Sequence, residues 1–187
     1  STTGSSVWHN AQPTFKATPT AAVALGHNGN LINTLELAAI LRDAQAGAAE
    51  DPGGTGRWPA LAATSDTDVL TALFASPPGG PVPGGVEAAA FATLPLVRGA
   101  FSLVFMDEKT LYAARDPQGF RPLVLGRLAS GWVVASETAA LDIVGAEFVR
   151  EVAPGELISI DERGVTSRTF AAAQPKGCLF EYVYLAR

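Results

Sequence analysis

Apolar residues in this chain fall into short runs separated by clusters of Gly, Pro, Asn and Asp. The run AAVALG at 21–26 is short and ends at Gly, which predicts a buried strand. Apolar residues at helical spacing predict a first helix in NLINTLELAAILRDA at 30–44. Three further helices are predicted at 64–76, with Ser65 as its cap, at 87–95, and at 136–145, with Ser136 as its cap and Gly145 as its stop.

The second half of the chain is rich in predicted strands. Apolar runs predict strands at 99–108, 110–116, 122–128 and 131–137, followed by a hairpin-like pair around APGE within 148–164. Their apolar residues are successive more often than alternate, which is typical of sheets covered on both faces. Gly and Pro mark loops at 46–60 and 77–86. The pattern therefore predicts one α+β domain over residues 1–187, built as a layered sandwich.

The composition is that of an acidic globular protein. The net charge of −5 and the pI near 5.0 argue against a nucleic-acid or anionic-membrane partner. No apolar run approaches the roughly 20 residues that span a bilayer, and the opening STTGSS shows no secretory signal. Cys178 is the single cysteine, which excludes an internal disulfide and suits the cytoplasm. His9, His27 and Cys178 are the only soft ligands, so we expect no metal site within the chain. We expect no other cofactor within the chain either.

The stretch GHNGNL at 26–31 follows the first predicted strand with residues that strand interiors disfavour. One interpretation is a strand-to-helix turn, in which Gly allows a positive φ and Asn30 or Asn33 caps the next helix. The other is an oxyanion hole, in which the Asn28 carboxamide and the Gly29 N–H donate to a developing negative charge. The hexapeptide alone favours the turn.

Two other motifs each allow a structural and a chemical interpretation. In TSDTD, Asp66 either complements the dipole of a helix or binds a substrate ammonium group, and spacing alone favours the dipole. In ARDPQGFRPL, ion pairs among Arg115, Asp116 and Arg121 support either a turn that locks two strands or a phosphate clamp. We favour the turn.

The chain offers two candidate nucleophiles. Ser1 has its own α-amine as a general base, which amino-terminal Ser, Thr and Cys residues can use. Cys178 lies at an apolar strand entry in KGCLFEYVYLAR, and a buried thiol is generally inert. Neither residue stands out on composition.

The chain carries the motifs STTGSS, HNAQP, GHNGNLIN, TSDTD, LVRGAFSLVFM, ARDPQGFRPLVLG, VVASETAALDIVGAEFVREVAPGEL and CLFEYVYLAR in this order. Together they resemble the glutamine phosphoribosylpyrophosphate amidotransferases (amidophosphoribosyltransferases). HNGN followed by TSD is shared by the wider class of glutamine amidotransferases with an amino-terminal cysteine, whereas ARDPQGFRPL and FEYVYLAR are typical of the phosphoribosyl members. The resemblance covers nearly the whole chain and implies an Ntn-hydrolase fold, a four-layer αββα sandwich with two mainly antiparallel sheets.

The resemblance also implies an activity and its residues. Such a domain hydrolyses glutamine, and the ammonia converts phosphoribosyl pyrophosphate to 5-phosphoribosylamine in purine synthesis. Asn28 and Gly29 are then the oxyanion hole, Asp66 binds the glutamine α-amino group, and Thr2 lies in the glutamine pocket. With the resemblance, the oxyanion interpretation of GHNGNL outweighs the turn.

Two parts of the family pattern are expected outside this sequence: a segment with the nucleophilic cysteine and a substrate-binding arginine, and the transferase domain. We therefore expect a partial glutaminase domain that is inactive alone, with Ser1 an interior residue. For the full-length enzyme the resemblance implies magnesium and, in iron–sulfur members, a cluster with a ligand at the position of Cys178. A homo-oligomer in the cytoplasm is expected.

Two alternative functions stay open at this point. One is the glutaminase domain of another class II amidotransferase, such as glucosamine-6-phosphate synthase. The other is a sandwich module that has lost catalysis and serves in binding. Catalysis in this class uses an amino-terminal cysteine. A mature full-length protein that begins with any other residue would therefore favour the second alternative.

Overall fold

The computed structural model describes residues 11–17, 22–49, 65–78 and 82–177, together with residues 179 and 183. The strands in this part of the chain are β1 Thr14–Ala17, β2 Ala22–Leu31, β3 Gly99–Met106, β4 Leu111–Arg115, β5 Val124–Leu128, β6 Gly131–Ala135, β7 Glu147–Glu151, β8 Glu156–Asp161 and β9 Gly164–Thr169. The helices are α1 Thr34–Ala49, α2 Asp66–Ala75, α3 Gly85–Thr93 and α4 Thr138–Val144, and a 3-10 helix at Leu94–Leu96 follows α3.

The strands form two sheets. One has the strand order β1-β2-β3-β4-β8-β9 and the other the order β6-β5-β7. Antiparallel pairing joins β1 to β2, β4 to β8, β8 to β9, and β5 to both β6 and β7. Two sheets and four α-helices in the described part of the chain confirm the predicted α+β class.

The chain divides into two compact units. The first comprises the described residues up to Gly26, those between Asn30 and Gly99, and Phe105–Glu108. The second comprises His27–Gly29, Ala100–Val104 and the described residues from Lys109 onward. Each unit has its own apolar core.

The core of the first unit centres on α2. This helix is buried at Thr67 and at every position from Val69 to Ala75, and its mainly apolar composition after the first turn suits it to the interior. The rings of Phe74 and Phe105 pack with their centroids 4.7 Å apart. The helix begins as predicted, because the Ser65 side chain caps it by accepting a hydrogen bond from the backbone of the third residue along.

The second unit has an apolar cluster on each face of β5. Successive strand residues point to opposite faces of a sheet. One cluster contains Ala113, Leu123, Leu125, Val152 and Ile158. The other contains Val124, Leu141 and Ala146. Because Val124 and Leu125 are both buried, β5 is covered on both sides, as its successive apolar residues predict.

The ARDPQGFRPL segment forms a turn held by two buried charged side chains. The Asp116 carboxylate is fully buried and accepts hydrogen bonds from the backbone N–H groups of Phe101, Gln118, Phe120 and Arg121. The Arg115 guanidinium donates to the carbonyls of Gly119, Arg121 and Val152. This confirms the structural interpretation of the motif. The ion pair of Arg115 is with Glu151, at 2.9 Å, rather than with its neighbour Asp116.

The predicted turn at 26–31 is wrong. β2 continues through GHNGNL to its end at Leu31, and α1 begins at Thr34 and extends into the predicted loop at 46–60 as far as Ala49. Glycine occurs in strands where another backbone approaches closely. Position 29 meets this condition, because a Cβ there would lie 2.0 Å from the Ala100 carbonyl oxygen. Here glycine permits close strand packing instead of a turn.

Two other predictions from the pattern are also wrong. The strands around APGE do not form a hairpin, because β7 pairs with β5 whereas β8 pairs with β4 and β9. The turn between β7 and β8 is hydrogen-bonded to the end of β4, because Gly155 N donates to Arg115 O at 3.1 Å. Helix α4 has Glu137 at its N-cap position and not Ser136, although it ends at Gly145 as predicted. The short strands β1 and β9 lie outside the predicted ones.

Glu156, the first residue of β8, is the centre of a charged network in the second unit. Its buried carboxylate accepts hydrogen bonds from Arg150 Nη1 at 2.8 Å, Arg150 Nη2 at 2.7 Å, Ala153 N at 2.6 Å, and Ser167 Oγ. Burial alone raises the pKa of this carboxyl, but the hydrogen bonds outweigh burial and hold the pKa below its usual range. The hydrogen bond to Glu156 in turn raises the pKa of Arg150.

We predict that Glu156→Gln lowers the free energy of unfolding by about 1 to 3 kcal/mol near neutral pH, because the amide removes the charge at the centre of the network. The folded-state pKa lies below the unfolded-state value of about 4.3. The stabilisation is therefore present above that value and is lost as the pH falls through the folded-state pKa. Urea unfolding of both proteins, from about pH 7 down to about pH 3, measures the difference.

Glu147→Gln, at the exposed start of β7, is the matched control for this prediction. It also removes one carboxylate, but from an exposed position, so we expect a change within about 0.5 kcal/mol. A loss of stability in the Glu156 variant that stays constant down to about pH 3 would contradict the account based on charge.

Candidate active site

Asn28 and Gly29 are consecutive residues near the end of β2. The Asn28 side chain is exposed, and its Nδ2 donates a hydrogen bond to Ser136 Oγ at 3.2 Å. The carboxamide therefore does not point into the hydrophobic core. Its NH₂ group carries two N–H donors, and the hydrogen bond to Ser136 uses one of them.

Gly29 lies where only glycine fits. Its φ is +146°, and a Cβ there would lie 2.0 Å from Ala100 O and 2.9 Å from Phe101 Cα. Gly99 is similarly restricted in the first unit, with a φ of +138° and only 2.4 Å between an added Cβ and Asn30 O. Backbone packing therefore requires glycine at position 29 independently of any substrate.

Asp66 is the first residue of α2 and is partly buried. Its Oδ2 accepts a hydrogen bond from Leu31 N at 3.0 Å, and its Oδ1 accepts one from Thr34 Oγ1 at 2.7 Å. The carboxylate thereby joins the end of β2 to the start of α1, and each oxygen has a lone pair left for a further donor. None of the residues that the structure describes forms an ion pair with Asp66, whereas Asp68 pairs with Lys16 at 2.8 Å.

Asn33 connects the segment before α1 to the segment before β3. Its buried side chain donates from Nδ2 to Leu96 O at 2.9 Å and accepts from Arg98 N at Oδ1, at 3.0 Å. Ile32 N adds a hydrogen bond to Arg98 O at 2.9 Å. The Asn33 carbonyl accepts from Leu37 N at 3.1 Å. Because its side chain is used elsewhere, Asn33 does not cap α1 as the turn interpretation expects.

The remaining candidates from the sequence lie elsewhere. Thr2, Ser1, His9 and Cys178 are outside the described residues. His27 is a buried residue of β2. In the ranges that the structure describes, no three His, Cys, Asp or Glu side chains are grouped so that they could hold a metal ion. None of the helices in the same ranges is long and apolar enough to cross a bilayer.

Sequence reasoning missed two side chains that contact predicted site residues, namely Thr34 and Ser136. Both hydroxyls lie at junctions between a strand and a helix, where Ser and Thr often bond to neighbouring segments. Their position at such a junction is the feature of the sequence from which these two residues could have been found. Their partners cannot be found from local pattern, because Ser136 is 108 positions from Asn28 and Thr34 is 32 positions from Asp66.

Taken separately, Asn28 and Asp66 offer two chemical capacities. An exposed carboxamide N–H can donate to an oxygen that gains negative charge during attack on an amide. A carboxylate with lone pairs to spare and no cationic partner among the described residues can bind an ammonium group. An enzyme that acts on an amino acid amide requires both capacities.

Comparison with known proteins assigns the chain to a family. Residues 5–143 match the glutamine amidotransferase domain, and the chain therefore belongs to that family. It is 58% identical over 188 residues to the amidophosphoribosyltransferase of Mycobacterium leprae (strain TN), with 100% of this chain and 32% of the relative covered. It is 42% identical over 194 residues to the amidophosphoribosyltransferase of Synechococcus elongatus, with 100% of this chain and 36% of the relative covered.

Two solved structures share the fold. The glutamine phosphoribosylpyrophosphate amidotransferase from B. subtilis, complexed with ADP and GMP, matches with a TM-score of 0.78 and 32% identity over 98% of this chain and 37% of that chain. An allosteric regulatory enzyme of purine biosynthesis matches with a TM-score of 0.77 and 33% identity over 100% of this chain and 37% of that chain. The fold is the Ntn-hydrolase fold of these amidotransferases, as the resemblance implies. The chain spans about a third of the length of the relatives that it matches.

Proposed function

We propose that this chain is the glutamine-hydrolysing part of an amidophosphoribosyltransferase. The ammonia that it releases converts phosphoribosyl pyrophosphate to 5-phosphoribosylamine in purine synthesis. The observation that carries the proposal is the 58% identity to a curated amidophosphoribosyltransferase over the whole chain. It favours this function over that of a sibling amidotransferase, because the curated relatives matched over the whole chain are named amidophosphoribosyltransferases.

We assign binding of the oxyanion to Asn28 and Gly29. When a nucleophile attacks the side-chain amide of glutamine, the carbonyl oxygen gains negative charge in the tetrahedral intermediate. Asn28 supports the assignment with an exposed side chain whose second N–H Ser136 does not use, and Gly29, the next residue of β2, has a backbone N–H. Donors that act only on this developing charge raise kcat instead of lowering KM.

We assign binding of the glutamine α-ammonium group to Asp66. Hydrogen bonds from Leu31 N and Thr34 Oγ1 hold the carboxylate in place while leaving lone pairs for a substrate. Asp66 has no cationic partner among the described residues, and the ammonium group of glutamine provides one. The role of Thr2 in the glutamine pocket stays a prediction of the resemblance.

The nucleophile in this proposal is the amino-terminal cysteine of the family. Its thiolate attacks the amide carbon of glutamine, ammonia leaves as the tetrahedral intermediate collapses, and water then cleaves the thioester to release glutamate. We place this cysteine outside the 187 residues, which contain cysteine only at position 178. The part played by this chain is to bind glutamine and to stabilise charge.

The other expectations stay predictions. They are magnesium in the full-length enzyme, a cluster there if it is one of the iron–sulfur members, a homo-oligomeric assembly, and no binding to nucleic acid or membranes. A cytoplasmic location also stays a prediction, because the relative from Glycine max, 42% identical, is named as chloroplastic. No step proposed here depends on a metal or a cluster.

We predict that the full-length protein containing this chain hydrolyses glutamine and that the 187-residue chain alone does not, because the attacking thiolate is missing. An assay of glutamate release from both proteins tests this. Hydrolysis of glutamine by the chain alone would contradict the prediction and favour Ser1 as the nucleophile. A lack of hydrolysis by the full-length protein would favour a module without catalysis.

We predict that Asn28→Ala in the full-length protein lowers kcat for glutamine hydrolysis by roughly 10²–10³-fold with little change in KM, because one oxyanion donor is lost. Steady-state kinetics with glutamine measure both constants. Gln174→Ala removes another exposed carboxamide and is the control, with a kcat expected within about twofold of the wild type. An equal effect of the two substitutions would contradict the assignment.

We predict that Asp66→Asn raises KM for glutamine and spares synthesis from free ammonia, because the charge that binds the ammonium group is lost. The asparagine keeps an oxygen for Leu31 N and brings an NH₂ that can donate to Thr34 Oγ1. Thr34→Val is the matched control, because it removes the hydrogen bond to Asp66 but leaves the charge. We expect Thr34→Val to lower the melting temperature and to raise KM for glutamine less than Asp66→Asn does.

Both activities of these variants are measured in parallel, with glutamine and with ammonia as the nitrogen source. Equal loss of the two activities in Asp66→Asn would assign Asp66 to structure alone, because ammonia needs no ammonium-binding pocket.

A further inference from the structure

Ser136 lies between two regular elements of the second unit. It follows β6 directly, and α4 begins two residues later, at Thr138. β6 pairs with β5 along its whole length, from Gly131 to Ala135. The backbone at Ser136 is therefore fixed from both sides, and its hydroxyl is a defined point on the surface.

The hydrogen bond between Asn28 and Ser136 restricts a side chain that would otherwise rotate. The terminal torsion of asparagine has broad, roughly two-fold preferences, and the Asn28 side chain is exposed. Its Nδ2 donates to Ser136 Oγ at 3.2 Å, which selects one orientation of the planar carboxamide. Because the two N–H bonds of the amide have a fixed angle between them, the second N–H then has a defined direction.

We propose that Ser136 is a positioning residue for glutamine hydrolysis: its hydroxyl accepts one N–H of Asn28 and so directs the other N–H to the oxyanion. The inference rests on the proposed oxyanion role of Asn28. Ser136 acts through Asn28 and does not bind the substrate. Its loss leaves glutamine binding unchanged but adds the cost of orienting Asn28 in the transition state, so kcat falls while KM stays constant.

The test is steady-state kinetics of Ser136→Ala in the full-length protein. We expect kcat for glutamine to fall about 3- to 10-fold, which corresponds to the net value of one hydrogen bond. Ser136→Thr keeps the hydroxyl and should restore most of the activity. Ser130→Ala, an exposed serine just before β6, is the matched control and should leave kcat unchanged. Synthesis from free ammonia should be normal in all three variants.

A double-mutant cycle separates positioning from an independent effect. If Ser136 acts through Asn28, Ser136→Ala causes no further loss in an Asn28→Ala background. An equal loss in both backgrounds would overturn the inference. So would a wild-type kcat in Ser136→Ala, a change confined to KM, or a parallel loss of ammonia-dependent synthesis, which would make the hydroxyl structural.

The same data distinguish failure of this inference from failure of the proposed function. If Asn28→Ala itself has a wild-type kcat, the oxyanion assignment fails, and the inference about Ser136 fails with it. If Asn28→Ala lowers kcat as predicted but Ser136→Ala has no effect, the proposed function stands and only the inference about Ser136 is rejected.

Discussion

The close approach of two backbones at Gly29 is the constraint on which the candidate site depends. The Ala100 carbonyl oxygen occupies the space that a side chain at position 29 would need. With glycine there, β2 continues as a strand through Asn28 to Leu31, and a strand directs successive side chains to opposite faces. As a result, the Asn28 side chain is exposed and reaches Ser136, which lies in the same unit. A turn would have directed this side chain differently.

The two aspartates at key positions of the chain show how a structural carboxylate differs from one that can bind a ligand. Asp116 is fully buried and receives four backbone N–H groups, so its oxygens have little capacity for anything else. Asp66 is partly buried and receives one hydrogen bond at each oxygen. Both carboxylates organise the chain around them, but only Asp66 has lone pairs to spare. The number of donors that the protein itself provides therefore distinguishes the two roles.

What could be predicted from the sequence depends on the range of the interaction. The cap of α2 and the stop of α4 involve residues a few positions apart, so Ser65 and Gly145 revealed them. The successive apolar residues of β5 correctly indicated a strand covered on both faces. Partners distant in sequence were not predicted. The pairing of β8 with β4 depends on the sheet as a whole, and the contact of Ser136 with Asn28 joins residues 108 positions apart. The family came from the order of motifs, which no local propensity contains.

The hydrogen bonds of Asn33 have a consequence for which amino acids that position can accept. The side chain must donate to the Leu96 carbonyl and accept from the Arg98 N–H at the same time, in a buried place. Aspartate has the same shape but only acceptors, so its oxygen would face the carbonyl oxygen of Leu96 with like partial charge. Leucine would leave both backbone groups unsatisfied, at a cost of about 1–3 kcal/mol for each. Any exchange at this single amide would therefore loosen the chain in two places that are more than sixty residues apart in sequence.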